Sequence, residues 1–212
     1  MSLPVVILGA GGHARVLLEA LRSVSRQIAG IADADASRIG ETVMGVPVIG
    51  NDDAALRFSP GEVELVNGIG SVASTLKRGE IFATFKAHGY RFATVVHPSA
   101  IIASDTELAE GAQVMAGSVI QVGARIGTNS IVNTRAAVDH DCRIGANVHI
   151  APGVTLSGSV RVDDHVHIGT GATVIQGVHI SANSVIGAGS VVLRNVPEGA
   201  TVYGVPAREG RR

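Results

Sequence analysis

The residue of this sequence best suited to chemistry is a histidine between two carboxylates. His140 stands between Asp139 and Asp141, among small and aliphatic residues. A neutral imidazole can take a proton from an amine or a hydroxyl near neutral pH, and an adjacent carboxylate can orient the ring and raise its basicity. Because side chains alternate along a strand, the carboxylate contact requires the distorted backbone of a corner or a neighbouring subunit. We favour Asp141 as the partner and predict that His140 is a general base.

A six-residue repeat sets the surroundings of His140. From Ile102 to Val192 every sixth residue is aliphatic without a shift of frame. The chain has 27 glycines but only four Phe, two Tyr and no Trp, so its core must be narrow. An amphipathic helix is excluded because its apolar residues recur every three to four positions. This pattern predicts a parallel β-helix of short strands and glycine-rich turns.

The repeat also predicts which residues stack on one another. Three hexads close one triangular coil in the hexapeptide class that the pattern resembles, so residues 18 apart should lie about 4.8 Å apart in neighbouring coils. Gly158 then stacks on His140, where its N–H could stabilise the oxyanion of an attacked thioester. The same spacing aligns Thr134 with Thr170 and Ala188. This column of small residues suits an extended chain such as pantetheine.

Before residue 95 the sequence changes to a pattern of strands and helices. The apolar run Val5–Leu8 leads into Gly9-x-Gly11-x-x-Ala14, and Asp33 ends the next predicted strand. This arrangement matches the dinucleotide-binding fingerprint, in which glycines let the backbone approach a phosphate at a helix N-terminus. About 95 residues make only half of a doubly wound domain, so a sugar nucleotide fits better than a complete NAD. A tight turn without a ligand is the alternative interpretation of the same glycines.

The remaining elements complete a small α/β domain with a parallel sheet. The loop Asn67-Gly68-Ile69-Gly70 should meet the first glycine loop at the carboxyl edge of this sheet. His97-Pro98 marks the hinge because a residue before proline is held extended. We therefore predict an α/β Rossmann-like half domain over residues 1–96 and a β-helix with a C-terminal tail over 97–212. Helices are predicted over 14–24 and 76–88, strands over 28–32, 63–67 and 92–95, and an irregular segment over 35–60.

Bulk composition excludes several classes of partner. The formal net charge is −1 and the isoelectric point is about 6.7, so the chain lacks the basic character of a nucleic-acid-binding or membrane-surface protein. Cys142 is the single cysteine and has no internal disulfide partner. The apolar run Leu3–Leu8 is too short for a signal peptide or a membrane span. We expect a cytoplasmic protein with neither nucleic acid nor a membrane as a partner.

Four motifs together resemble those of bacterial sugar O- and N-acetyltransferases, over nearly the whole chain. They are Gly9-Ala10-Gly11-Gly12-His13-Ala14, Val95-Val96-His97-Pro98-Ser99-Ala100, Asn133-Thr134 with Val138-Asp139-His140-Asp141-Cys142, and Gly204-Val205-Pro206-Ala207. That family joins a small nucleotide-binding domain to a left-handed β-helix. It includes the enzymes that acetylate 4-amino sugars for bacillosamine and perosamine, and the sialic acid O-acetyltransferases.

The resemblance implies a role for most candidate residues. His140 would be the general base and Asp141 the acidic residue that increases its basicity, an Asp where some members have a longer Glu. The family also implies homotrimers that bind acetyl-CoA and a UDP- or GDP-linked amino sugar between subunits, with no metal. The acetyl-CoA groove would be lined by His149, Thr170 and Ala188. The sugar nucleotide would be held by Gly11, Gly12, His13, Asp33, Ala34 and Gly70.

Three other functions remain open. O-acetylation of sialic acid or another sugar would use the same base. A zinc-dependent carbonic anhydrase shares the trimeric β-helix, but its His-x4-His pair is missing, and we assign structural roles to His165, His167 and His179. A scaffold that only binds a nucleotide would leave His140 between carboxylates without a purpose. The glycine loop favours a nucleotide-bearing acceptor, so we predict acetylation of a nucleotide-linked 4-amino-4,6-dideoxy sugar.

Overall fold

The computed structural model describes residues 2–210. Its N-terminal part contains strands β1 (Val5–Leu8), β2 (Ile28–Ala32), β3 (Thr42–Val43), β4 (Val46–Gly50) and β5 (Glu64–Asn67), with helices α1 (Gly12–Ser23) and α2 (Leu76–Ala87). The strands form one sheet in the order β3-β4-β2-β1-β5, parallel except for the β3–β4 pair. The predicted α/β half domain is confirmed. In the described part of the chain, no helix has the length and apolar character needed to span a membrane.

The two helices cover opposite faces of this sheet because successive side chains of a strand point to opposite sides. Ile7 of β1 packs in one cluster with Leu17 of α1, whereas the neighbouring Leu8 packs in another with Phe85 of α2. Helix α1 begins at Gly12, two residues earlier than predicted. Gly11, immediately before it, has an extended backbone. The first N–H groups of α1 therefore lie directly at the glycine loop.

The segment predicted to be irregular, 35–60, contains more structure than the sequence suggested. Strands β3 and β4 form a hairpin, and β4 extends the sheet beside β2. Short 3-10 turns cover Ala36–Arg38 and Asp52–Arg57. Pro47 interrupts the apolar run of β4, which obscured this strand, and the sheet tolerates a proline so near its edge. The strand predicted over 92–95 is reduced to one bridge between Phe92 and Leu65.

The C-terminal part is a left-handed triangular β-helix, here called the prism, as predicted. Its first face contains β6 (Val95–Val96), β9 (Gln113–Val114), β12 (Ile131–Val132), β15 (His149–Ile150), β18 (His167–Ile168), β21 (Val185–Ile186), β23 (Thr201–Tyr203) and β24 (Arg208–Glu209). Its second face contains β7 (Ile101–Ile102), β10 (Val119–Ile120), β13 (Ala137–Val138), β16 (Thr155–Leu156), β19 (Thr173–Val174) and β22 (Val191–Val192). Its third face contains β8 (Glu107–Leu108), β11 (Arg125–Ile126), β14 (Arg143–Ile144), β17 (Arg161–Val162) and β20 (His179–Ile180).

The stacking register of the prism is 18 residues, as in the pairing of Ala137 with Val119 and Thr155. The second residue of each parallel strand of the prism points inward, and these side chains form one aliphatic core. Corner one, which joins the first face to the second, comprises 97–100, 115–118, 133–136, 151–154, 169–172 and 187–190. Corner two, which joins the second face to the third, comprises 103–106, 121–124, 139–142, 157–160 and 175–178. The prism begins at Val95, two residues before the predicted hinge.

The N-terminal domain packs against the first face of the prism through buried polar contacts. Gln113 Nε2 donates to the Asn67 carbonyl at 2.9 Å. Arg78 is fully buried and donates to the carbonyls of Asn67, Ile69 and Asn129 at 3.0, 2.8 and 2.9 Å. Burial lowers the pKa of Arg78 to about 9. These bonds fix the loop that follows β5 against the prism.

Candidate active site

His140 and Asp141 form a hydrogen-bonded pair at corner two. Asp141 Oδ2 lies 2.9 Å from His140 Nδ1. Asp141 adopts a left-handed backbone, with φ of 59°. Its side chain therefore does not point away from His140, as the alternating side chains of a strand would. The bond to Asp141 is the main cause that raises the pKa of His140, and the charge of Asp139 adds to it. The pair is a solvent-accessible imidazole with its Nδ1 proton held by a carboxylate.

Gly158 lies directly above the ring of His140, as the 18-residue period predicted. A Cβ atom on Gly158 would lie 2.4 Å from His140 Nε2, so only glycine fits beside this imidazole. The Gly158 carbonyl accepts a bond from Gly177 N–H at 3.0 Å, while its own N–H has no acceptor within residues 2–210. A backbone N–H without an acceptor can stabilise negative charge that develops on a substrate oxygen nearby.

A cavity of about 680 Å³ separates the glycine loop from corner one. Five of the six residues predicted to hold a sugar nucleotide line it, namely Gly11, Gly12, His13, Asp33 and Gly70. Ala34 does not, because it lies on the exposed surface beyond the end of β2. The prism contributes Asn133, Thr134, His149 and Pro152 to the opposite wall.

The two glycine loops converge at the edge of this cavity. Gly68 N–H donates to the Leu8 carbonyl at 2.7 Å, and a Cβ on Gly68 would lie 2.8 Å from the Gly9 carbonyl oxygen. Asp33 fixes the first loop, since its carboxylate accepts from the N–H groups of Ala10 and Asp35 at 2.6 and 2.9 Å. Each carboxylate oxygen keeps a lone pair for a further donor.

His13 is a neutral residue of the cavity wall. Gln113 turns its amide nitrogen to the Asn67 carbonyl, so its Oε1 faces His13 Nε2 at 2.7 Å and accepts the Nε2 proton. Burial, with the charge of Arg78 as a smaller cause, lowers the pKa of His13 to about 4. His13 therefore cannot supply positive charge for a phosphate near neutral pH. That role falls to the N–H groups and dipole at the start of α1.

A second cavity, of about 270 Å³, continues along corner one. Its walls include His149, Thr170 and Ala188, which were predicted together as an acetyl-CoA groove. The two cavities adjoin, because Ser71, Val72, His149 and Pro152 line both. The second cavity is narrow and has few charged groups at its surface, as an extended pantetheine chain requires.

Sequence reasoning missed two polar residues that orient His149. Ser71 Oγ lies 2.6 Å from His149 Nδ1 and 3.0 Å from His167 Nδ1. Asn133 Nδ2 donates to His149 Nε2 at 3.0 Å, so the proton of this ring resides on Nδ1. Burial is the main cause that lowers the pKa of His149 to about 3. Ser71 follows the glycines after β5, and Asn133 belongs to a quoted motif, but neither position alone signals these contacts.

His140 and the two cavities occupy different edges of one chain. The cavities lie at corner one beside the first face, whereas His140 lies at corner two, across the second face. A single chain therefore does not bring its own His140 to its own cavities. Among residues 2–210, the His, Cys, Asp and Glu side chains form no group of three that could hold a metal ion.

Comparison with known proteins agrees with the division of the chain into an N-terminal domain and a hexapeptide-repeat part. Residues 4–82 match the family described as the PglD N-terminal domain, residues 123–158 match the bacterial transferase hexapeptide family, and residues 159–194 match the hexapeptide repeat of succinyl-transferase. No curated protein sequence matches the chain significantly.

Solved structures resemble the whole chain. A point mutant of perosamine N-acetyltransferase from Caulobacter crescentus, in complex with CoA and GDP-perosamine, is 39% identical with a TM-score of 0.91, over 99% of this chain and 97% of that one. The acetyltransferase domain of PglB from Neisseria gonorrhoeae, in complex with acetyl coenzyme A, is 33% identical with a TM-score of 0.90, over 99% and 100%. WeeI from Acinetobacter baumannii is 26% identical with a TM-score of 0.87, over 98% and 100%.

Proposed function

Since this chain belongs to the family of hexapeptide-repeat sugar acetyltransferases, we propose that it acetylates the amine of a nucleotide-linked 4-amino-4,6-dideoxy sugar. Acetyl-CoA is the donor, as in the rest of the family, and a sugar is the acceptor. The observation that carries the finer proposal is the juxtaposition of His140 with the N–H of Gly158. That pair combines a base with an oxyanion donor, which is what aminolysis of a thioester requires.

The chemistry at His140 follows from the geometry of the pair. The acceptor nitrogen attacks the thioester carbonyl carbon and loses its proton to His140 Nε2. Asp141 holds the Nδ1 proton and stabilises the imidazolium that forms. Negative charge on the carbonyl oxygen is stabilised by the Gly158 N–H. When the C–S bond breaks, the departing thiolate takes the proton from His140, and the products are the acetamide and CoA.

The larger cavity suits a nucleoside diphosphate sugar. The diphosphate would bind the N–H groups of Gly11 and Gly12 at the start of α1. The Asp33 carboxylate would accept from a ribose hydroxyl, in the manner of the acidic residue of other half domains of this type. GDP-perosamine is the sugar nucleotide bound by the relative from Caulobacter crescentus. We propose a UDP- or GDP-linked acceptor for this chain on the same basis.

The homotrimer supplies the contact that a single chain lacks. The outward residues of the second face are uncharged, whereas those of the third face are largely charged. They are Ile101, Val119, Ala137, Thr155, Thr173 and Val191 on the second face, and Glu107, Arg125, Arg143, Arg161 and His179 on the third. Association through the second face would set corner two of one subunit against corner one of the next. Each active centre would then combine His140 and Gly158 of one subunit with the cavities of its neighbour.

A thiol-release assay tests this function directly. The purified protein is incubated with acetyl-CoA and a panel of UDP- and GDP-linked 4-amino sugars, with free sialic acid and the corresponding 4-hydroxy sugar nucleotides as comparisons. We expect CoA release only with an amino sugar nucleotide, and mass spectrometry of the product should show an N-acetyl group. Turnover with free sialic acid or with a 4-hydroxy sugar alone would contradict the proposed acceptor.

A further inference from the structure

Asp141 rests on a glycine of the preceding coil. Gly123 lies one 18-residue period below Asp141 in corner two, and a Cβ atom on it would lie 2.7 Å from Asp141 Oδ1. The other oxygen of the same carboxylate, Oδ2, makes the bond to His140. Asp141 N–H donates to the Val122 carbonyl at 3.0 Å, which fixes the Asp141 backbone above this glycine. The carboxylate can therefore face His140 only while the space above Gly123 is empty.

We propose that Gly123 is a positioning residue for the general base: the space left by its missing side chain holds the Asp141 carboxylate in the orientation that bonds His140. Gly123 does not touch the reacting atoms and acts through Asp141. The kinetic consequence rests on the proposed acetyl transfer, whereas the orientation of the carboxylate is a property of the folded chain alone.

The backbone of Gly123 is hydrogen-bonded on two sides, which opposes a backbone shift that would make room for a side chain. Its N–H donates to Asp105 Oδ2 at 2.9 Å. Its carbonyl accepts from Arg143 Nη1 at 3.1 Å. A methyl group at position 123 would instead displace the end of the flexible Asp141 side chain, which costs little in packing. The expected effect is a turned carboxylate in a folded prism.

Gly177 offers a matched control in the same column of corner two. Gly123 and Gly177 both have left-handed backbones, with φ of 69° and 71°. A Cβ atom on Gly177 would meet no neighbouring atom within 4 Å. An alanine therefore meets the same backbone strain at both positions, but only at position 123 does its methyl group meet a carboxylate. The difference between Gly123→Ala and Gly177→Ala isolates the contact with Asp141.

The first measurement is the pKa of His140 in the intact protein, by NMR titration of its imidazole. The charged groups around His140 are Asp139 and Asp141 on its own corner, with Arg143 on the following strand and Asp105 two coils below. Because the carboxylate bond raises the pKa of His140, we expect Gly123→Ala to lower it toward the value in Asp141→Asn. Gly177→Ala should leave it at the wild-type value. Equal titration of wild type and Gly123→Ala, with both folded, would overturn the proposal.

The second measurement is a double-mutant cycle on kcat/KM for acetyl transfer. We expect Gly123→Ala to reduce kcat/KM by roughly tenfold to a hundredfold, as misplaced catalytic groups do, and to have no further effect in the Asp141→Asn background. Full additivity of the two substitutions would show that Gly123 does not act through Asp141. A wild-type protein without transferase activity would refute the proposed function but would leave the titration as an independent test.

Discussion

The imidazole of His140 and the backbone of Gly158 approach so closely that a methyl group on Gly158 would lie 2.4 Å from His140 Nε2. This contact places the imidazole beside a glycine of the next coil of the prism. Gly158 has an ordinary backbone conformation rather than a left-handed one, so an alanine there is not strained by its φ. Any loss caused by a side chain at position 158 must therefore come from its contacts in the site and not from backbone strain.

We expect Gly158→Ala to reduce kcat/KM for acetyl transfer by about a hundredfold or more, because it moves the base and obstructs the oxyanion position. The melting temperature should change little. The control is Gly61→Ala, since Gly61 also has an ordinary backbone and a Cβ atom on it would meet no neighbouring atom within 4 Å. Steady-state kinetics of both variants make the comparison. Wild-type activity in Gly158→Ala would remove this glycine from the mechanism.

His140→Ala should reduce acetyl transfer by about 10²- to 10⁴-fold, since proton abstraction is lost while both cavities stay intact. Calorimetry should give an unchanged affinity for CoA, because the substitution leaves every residue that lines the second cavity in place and removes only the proton acceptor. His88→Ala, at an exposed histidine after α2, serves as the control. Substantial turnover in the His140 variant would rule out its role as the base.

Much of this site could be predicted, because the repeat length and the residue types at each corner of the prism are visible in the sequence alone. The 18-residue spacing placed Gly158 on His140 without a structure, and the need for a distorted corner anticipated the left-handed Asp141. Ser71 and Asn133 could not be found in this way. The bond between Ser71 and His149 joins residues 78 positions apart and depends on how the domain docks. The assignment of Ala34 to the sugar-nucleotide site followed from the family resemblance alone, and the structure leaves this residue exposed.

Asp141→Asn should move the acidic limb of the kcat/KM profile to lower pH. The carboxylate raises the pKa of His140, so the wild-type base is protonated, and inactive, up to a higher pH than a free imidazole. Removing the charge lowers that pKa, and the variant should lose protons from His140 earlier as pH rises. Its plateau should be lower, because the ring is a weaker base. Asp139→Asn should produce a smaller shift in the same direction, since Asp139 accepts a bond from the His140 backbone N–H and affects the pKa of the ring through its charge, a smaller cause than the bond to Asp141.

Asp33→Ala should raise the KM for the sugar nucleotide by about tenfold and leave the affinity for CoA unchanged. The carboxylate lines the larger cavity and orders the glycine loop through Ala10, but it has no place in the walls of the narrow cavity. Asp35→Ala, at an exposed position outside both cavities, is the control. Equal losses for both ligands would contradict the division of the two cavities between the two substrates.

Mixed trimers should recover activity that neither parent variant has. His140→Ala keeps intact cavities, and Asp33→Ala keeps an intact base. An active centre built between subunits can therefore combine the base of an Asp33→Ala subunit with the cavities of a His140→Ala subunit. With equal amounts and random exchange of subunits, about a quarter of the centres should be intact. The assay uses a sugar nucleotide concentration far below the KM of both proteins, where a tenfold higher KM leaves Asp33→Ala with about a tenth of the wild-type rate, less than the quarter expected from mixed trimers. Absence of recovery after denaturation and joint refolding, with trimers verified by light scattering, would show that each chain uses its own histidine.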